Sequence, residues 1–286
     1  MTRSVTVLDP GPLTTVQDSG RAGQASLGVG RSGAADRASY RLANRLVGNA
    51  ENAAVLEVTF GGLQLRADGD LVIVTTGARC LGSSPHNAPT TLRSGSVLDL
   101  GAPVSGLRTY VAVRGGLAVE PVLGSRSTDT LAGLGPDVVS PGDVIAIGQP
   151  ELPSPGLDVA PVTDPGPGDV TVLVTPGPRR DWFTEAAWAS LVDQTYTVTS
   201  DSNRVGLRLD GDALERTRTD ELPSEGLMRG ALQIPPSGKP VLFLADHPVT
   251  GGYPVIAYVV DEHVDRCAQL RPGQNLLLRA GTPRRQ

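Results

Sequence analysis

A chain of 286 residues has room for two domains of roughly 100–150 residues each. Hydrophobic residues make up 39% but aromatics only 3%, so the cores must be built from Val, Leu, Ile and Ala, and 35 Gly with 24 Pro demand many turns; a β-rich protein is favoured over a helical bundle. A formal net charge of −5 with no basic stripe argues against nucleic acid as a partner, and no apolar run approaches the ~20 residues of a membrane-spanning helix.

The chain opens Met1-Thr2-Arg3-Ser4-Val5, without the apolar core of a secretory leader. A strand is predicted from Ser4 to Leu8. A helix follows from about Ala35 to Val47, where Ala38, Leu42 and Leu46 recur every fourth residue. Asp36 sits at its positive N-terminal end and Gly48 supplies the stop. Further strands are predicted at Val55 to Phe60, Leu71 to Thr75, Thr109 to Val113 and Val144 to Ile147. From Gly148 to Gly168, Pro and Gly repeat with almost no periodic apolar pattern. Proline fixes φ and removes a donor, so this stretch cannot lie inside a sheet. It separates an N-terminal domain, 1–150, from a C-terminal domain, 169–286, with a linker at about 151–168.

In the second half strands are predicted at Val170 to Val174, Tyr196 to Ser200, Val241 to Leu244 and Ile256 to Val260. A helix from about Trp182 to Asp193 puts Phe183, Ala187 and Leu191 on one face, with Asp181 as N-cap, and a shorter one from about Glu262 to Leu270 is halted by Pro272. Residues 139–147 (VSPGDVIAI) resemble 270–278 (LRPGQNLLL), marking either an internal duplication or ordinary Pro-Gly turn chemistry. Many short strands with few helices fit a mainly β protein, each half a closed β-barrel with a packed helix.

Familiar catalytic signatures are missing from the sequence: there is no phosphate-binding GxxxxGK[ST] loop and no GxSxG elbow. His86, His247 and His263 show no metal-ligand spacing, so no metal site is expected. Cys80 and Cys267 form no CxxC pair and read as reduced thiols of a cytoplasmic protein. Three glycine-rich segments remain. Arg114-Gly115-Gly116 follows a strand and is succeeded by Leu123-Gly124-Ser125-Arg126-Ser127-Thr128-Asp129; its guanidinium forks suit carboxylates or phosphates, or are simply solvated. Ser224-Glu225-Gly226 precedes Gly230 to Pro235 with Gln233 inside it, and Glu225 is either a general base or an ion-pair partner. The buried run Val241 to Ala245 ends on Asp246 and His247 before Thr250-Gly251-Gly252-Tyr253-Pro254. Adjacent glycines let backbone N–H groups approach a ligand as an oxyanion cradle, or form a plain hairpin loop.

Several longer motifs carry a resemblance. Residues 13–20 read LTTVQDSG, followed by Arg21, Gly23, Gly28-Val29, Ser32 to Asp36 and Arg41 to Asn49. Then come Leu56-Glu57-Val58-Thr59, Tyr110 to Gly116, Leu123 to Asp129, Gly177-Pro178-Arg179-Arg180-Asp181-Trp182-Phe183, Ser224-Glu225-Gly226, Gln233 to Pro236 and Thr250 to Pro254. In this order they resemble the C-subunit family of bacterial 5-oxoprolinases, also described as allophanate hydrolase subunit 2 or biotin-dependent carboxyltransferase-like, over nearly the whole chain. One departure is Pro248-Val249, where many relatives carry Gln-Thr; it puts any role of that Gln amide in doubt and leaves the Gly-Gly cradle intact.

The resemblance implies a pair of cyclophilin-like β-barrel domains. It implies a partner of the B-subunit type, which is that of allophanate hydrolase subunit 1, and a third chain of the A-subunit type. Together these would hydrolyse 5-oxoproline to glutamate with ATP, the chain alone being inactive. The alternatives are a carboxyltransferase subunit moving a carboxyl group from carboxybiotin to urea or a similar amide, and a regulatory binding protein antagonising a kinase inhibitor. Biotin would have to ride on another chain, because the only lysine, Lys239, stands in Ser-Gly-Lys-Pro. Taken together, residue chemistry and resemblance place catalysis on Asp246, Glu225 and Arg126, and substrate binding on Arg114, Gly115, Gly116, Ser127, Thr128, Gln233, Thr250, Gly251, Gly252 and Tyr253. Arg126 would fork onto a substrate carboxylate. Asp246 would act as base, orient His247, or only cap the turn.

Overall fold

The computed structural model describes residues 3–82, 86–156, 158–218 and 220–281. The chain is mainly β, 34% strand and 12% helix. It divides into two compact units, 3–23 with 32–166 and 24–31 with 167–281. Among the described residues no helix is long and apolar enough to cross a membrane.

In the first unit the strands are β1 (Ser4–Pro10), β2 (Leu13–Gln17), β3 (Val55–Thr59), β4 (Leu63–Asp68), β5 (Leu71–Gly77), β6 (Thr90–Leu92), β7 (Val97–Asp99), β8 (Arg108–Val113) and β9 (Val144–Ala146). They pair into two antiparallel sheets, β7-β4-β1-β9 and β2-β3-β8-β5-β6. Alternation explains the core between them. Val5, Val7, Leu63, Leu65 and Leu98 meet Leu56, Val58, Leu71, Ile73 and Val111, all buried. Each such side chain contributes about 1.5–3 kcal/mol on burial. The residues between them, Val55, Val74, Tyr110 and Ala112, are buried too, because α1 (Arg37–Leu46) covers the other face of the second sheet. Burial on both faces is why nearly every residue of β3, β5 and β8 is buried, the polar Glu57, Thr75 and Thr109 included.

Helix α1 starts where Asp36 accepts from the Ser39 N–H (3.0 Å) and hydroxyl (2.6 Å), capping an otherwise free donor. Asp36 also donates its own N–H to the Tyr110 hydroxyl (2.7 Å), which donates in turn to the buried Glu57 (2.9 Å). The predicted apolar stripe is displaced. Ala38 is exposed, and the covered face is Tyr40, Ala43, Asn44 and Leu46. Polar Asn44 belongs to it because its amide donates to the Ala53 carbonyl at 2.8 Å, a partner the apolar pattern does not show.

The second unit holds β10 (Val170–Pro176), α2 (Glu185–Asp193), β11 (Thr195–Val198), β12 (Gly206–Asp210), β13 (Glu225–Gly226), β14 (Ala231–Gln233), β15 (Val241–Phe243), β16 (Thr250–Gly251), β17 (Val255–Val259), α3 (Asp261–Cys267) and β18 (Asn275–Ala280). Seven strands close into a barrel in the order β10-β17-β14-β15-β12-β11-β18, sealed by the parallel pairing of β10 with β18. Inside it pack Val172, Val174, Tyr196, Leu207, Leu232, Leu242, Ile256 and Leu276. β13 and β16 form a separate two-stranded ladder. The predicted helix Trp182 to Asp193 is two pieces. Arg180–Trp182 is a 3-10 turn, Phe183 is extended, and the cap of α2 is Thr184, accepting from the Ala187 N–H at 2.9 Å, so Asp181 is not the N-cap.

The two Pro-Gly turns match bond for bond. Asp143 and Gln274 each donate a backbone N–H to the carbonyl three residues back, Ser140 and Arg271, and each side chain accepts that residue's N–H in return at 2.8 Å. The strands that follow are placed differently: β9 pairs antiparallel with β1, whereas β18 pairs parallel with β10. The Pro/Gly stretch read as a linker is held to the first unit up to residue 165. Arg114 reaches the Leu152 carbonyl (2.7 Å), Ala160 donates to Asn87 (2.8 Å), Arg79 pairs with Asp164 (2.6 Å) and Ser105 donates to Pro165 (2.5 Å).

Candidate functional site

In the first unit the motifs at 13–20 and 123–129 form one clasp. The Asp18 carboxylate is buried and takes four donors. Its Oδ1 accepts from the Ser125 hydroxyl (2.6 Å), the Ser127 hydroxyl (2.6 Å) and the Gly20 N–H (2.8 Å), and its Oδ2 from the Arg126 N–H (2.6 Å). Arg21, buried beside it, donates to the carbonyls of Val122 (3.1 Å) and Ser127 (2.5 Å). Predicted as substrate-binding, Ser127 and Thr128 are instead part of this buried frame. Ser127 is spent on Asp18, and the Thr128 carbonyl accepts from Gln17 at 2.9 Å.

The clasp holds Arg126 at the wall of a cavity of about 370 Å³. Its Nε donates to the Val119 carbonyl at 2.5 Å, and its two terminal nitrogens have no partner among the described residues. Much of the remaining wall is glycine and alanine: Ala50, Ala53, Ala54, Gly115, Gly116, Ala118 and Gly148. The glycines are required there. Gly115 has φ +104°, and a Cβ on it would stand 2.1 Å from the Gly148 carbonyl oxygen. Their N–H groups are already used: Gly115 donates to the Asn49 side chain (2.8 Å), Gly116 to Val113 (2.9 Å) and Gly148 to Gly116 (3.0 Å). The polar wall is therefore made by side chains, Arg126 with Asn52, Gln149 and Glu151. Of the predicted residues, Gly115, Gly116 and Arg126 meet here. Arg114 does not line the cavity; its terminal nitrogens donate to the carbonyls of Val47 (2.8 Å) and Leu152 (2.7 Å), a tie between backbone segments.

In the second unit Glu225, Gln233, Thr250, Gly251, Gly252 and Tyr253 gather around the β13–β16 ladder. Glu225 is forked by Arg179, Nε to Oε2 at 3.0 Å and Nη2 to Oε1, which holds its carboxyl below the ordinary value of 4.5. Gln233 donates to the Tyr253 carbonyl (2.9 Å), and a Cβ on Gly251 would lie 2.7 Å from its amide nitrogen, so the first glycine is there for space. The N–H groups of Gly252 and Tyr253 have no partner among the described residues, and Tyr253 is half-exposed.

Asp246 is differently placed. Its carboxylate is wholly buried and takes both fork nitrogens of the equally buried Arg204, at 2.9 and 3.0 Å, while its N–H donates to the Arg204 carbonyl (3.0 Å). A carboxylate enclosed in this way has the geometry of a structural ion pair rather than of an accessible base. Among the described residues no group of three or more His, Cys, Asp or Glu is placed to hold a metal ion.

Sequence reasoning missed Asp18, which appears only inside a quoted motif, and Arg179, which Gly177-Pro178 precedes. It also missed Gln149 and Glu151, because a Pro/Gly stretch carries no local sign of lining a cavity.

Residues 27–280 match the carboxyltransferase domain, subdomain A and B. The chain is 37% identical over 276 residues to the Escherichia coli (strain K12) protein named as the C subunit of 5-oxoprolinase, covering 94% of this chain and 88% of that one. Among solved structures, TTHA0988 superposes with a TM-score of 0.87 at 34% identity; the match covers 97% of this chain and 55% of TTHA0988, so this chain spans about half of it. The urea amidolyase of K. lactis superposes with a TM-score of 0.89 at 31% identity, covering 96% of this chain and 18% of the amidolyase.

Proposed function

The chain belongs to the family of the carboxyltransferase domain, subdomain A and B, and from that premise we propose that it is the C subunit of an ATP-dependent 5-oxoprolinase. The reaction opens the lactam of 5-oxoproline with water and ATP, giving glutamate, ADP and phosphate. The observation that carries this reading is the end-to-end likeness to a protein named as the C subunit of 5-oxoprolinase.

ATP, where bound, supplies the phosphoryl group that activates a stable amide oxygen. A triphosphate does not fit the cavity of the first unit: one guanidinium and one carboxylate, Arg126 and Glu151, line it, and the glycine N–H groups that would cradle phosphates are spent. In this reading ATP binds in the assembled complex, outside the cavity of the first unit. This chain's contribution is orientation. In the first unit Arg126 holds a carboxylate; in the second, taken by itself, the N–H groups of Gly252 and Tyr253, flanked by Thr250, Gln233 and Glu225, are placed to donate to a developing oxyanion. Glu225, kept ionised by Arg179, orients rather than abstracts. Asp246 is left to the fold. With no free base assigned, the chain needs partners of the B-subunit and A-subunit types for turnover. The buried free thiols Cys80 and Cys267, the latter pushed up to about 12 by burial, suit a reducing cytoplasm.

The structural likeness to urea amidolyase favours one second reading, carboxyl transfer from carboxybiotin. Lys239, paired with Asp210 at 2.5 Å on the barrel surface, stands in Ser-Gly-Lys-Pro and not in a Met-Lys-Met setting, so biotin would be carried by another chain. Co-expression with the subunits encoded beside it, followed by a 5-oxoproline-dependent ADP-release assay, separates the two. Release by the complex and none by the purified chain is expected. Biotin-dependent carboxylation of urea without 5-oxoproline turnover would overturn the reading.

A further inference from the structure

We propose that the cavity of the first unit is a subsite for a small monocarboxylate, anchored on Arg126 and set in advance by Asp18. Asp18 lies next to Arg126 in the fold, yet its charge goes to the Arg126 backbone N–H and to the hydroxyls of Ser125 and Ser127. The loop is thereby fixed while the guanidinium charge is left without a counter-ion. Only Nε is occupied, by the Val119 carbonyl, so the two terminal nitrogens remain available to a ligand. Two donors on one planar group match the two oxygens of a carboxylate.

The rest of the wall narrows the ligand class. The volume, about 370 Å³, has ample room for a small organic ion. Gly115 and Gly148 cross so closely that neither admits a side chain, which gives this part of the wall a fixed shape. Asn52 and Gln149 offer amide groups to a neutral polar part of the ligand. Glu151 also lines the cavity and makes no ion pair with Arg126 among the described residues. Its charge disfavours a second carboxylate, so a monocarboxylate carrying a neutral amide is preferred to a dicarboxylate. The identity of that ligand as 5-oxoproline rests on the proposed function; the carboxylate subsite itself does not.

The test is binding to the purified full-length chain, without partners or ATP, followed by NMR or calorimetry. L-5-oxoproline is expected to bind saturably, with 2-pyrrolidinone, the same ring without the carboxylate, and L-glutamate each at least about tenfold weaker. Arg126→Gln is expected to weaken 5-oxoproline at least about tenfold, and Arg126→Lys, which keeps charge but not the fork, by less. Asp18→Asn should weaken binding while Arg126 is unchanged; if it unfolds the loop, the Arg126 variants still decide. Equal binding of 5-oxoproline and 2-pyrrolidinone, unchanged binding by a folded Arg126→Gln protein, or no carboxylate binding at all overturns the proposal. ADP release by the assembled complex judges the proposed reaction separately, so the two can fail independently.

Discussion

A carboxylate does what its neighbours allow, and Asp246 and Glu225 differ in this. Asp246 lies wholly out of water against Arg204, and removing one charge leaves the other buried without compensation. Asp246→Asn is therefore expected to destabilise the fold by about 3–5 kcal/mol, read as a lower midpoint in urea unfolding, with turnover by the folded fraction of the complex retained. Lost turnover at unchanged stability would return Asp246 to catalysis. Glu225 and Arg179 are each about one-third exposed, so their pair adds little to stability and its importance lies in orientation.

At the scale of elements, the cavity wall depends on two chain segments passing without side chains. Gly115→Ala brings a Cβ to 2.1 Å from the Gly148 carbonyl oxygen at a φ of +104°, a clash added to backbone strain. A cost of about 2–3 kcal/mol is expected, together with loss of carboxylate binding. Gly124→Ala is the control. Its φ is +80° but nothing lies within 4 Å of the new Cβ, so only the backbone cost of about 1 kcal/mol should appear in thermal unfolding, with binding kept. Equal losses for both variants would mean that the close crossing does not matter.

On the scale of the whole chain, the segment 160–165 is clipped to connecting segments far away in sequence, at Arg79, Asn87 and Ser105, and the clip contains a histidine. His86 Nε2 stands 3.0 Å from Asp164 Oδ1, and its Nδ1 3.3 Å from the Thr75 hydroxyl. Burial holds the His86 pKa below its ordinary value, outweighing the pull of Asp164, with Arg79 adding to the depression. Above about pH 6.5 the ring is neutral folded or unfolded and contributes no slope. As pH falls below that value the unfolded chain takes up the proton first, so stability is lost until the folded ring also protonates. His86→Gln should remove this part of the slope in urea-unfolding series between about pH 7 and 5. An unchanged slope would mean that the ring does not titrate differently on folding.

The strands Val55–Thr59, Leu71–Gly77, Arg108–Val113 and Val255–Val259 were legible in the sequence, because apolar runs bounded by turns are local patterns. So were the family motifs, whose residues are contiguous. Shorter strands such as Ala231–Gln233 carry too few residues to show a period, and they exist because the barrel closes around them. Which glycine N–H groups are spent, which arginine is a tie and which is free, and that Asp18 fastens Ser125 across 107 residues were settled only by the tertiary structure. Local sequence fixes a residue's backbone preference. A hydrogen-bond partner is fixed by what the folded chain brings within about 3 Å, and no pattern over neighbouring residues encodes that.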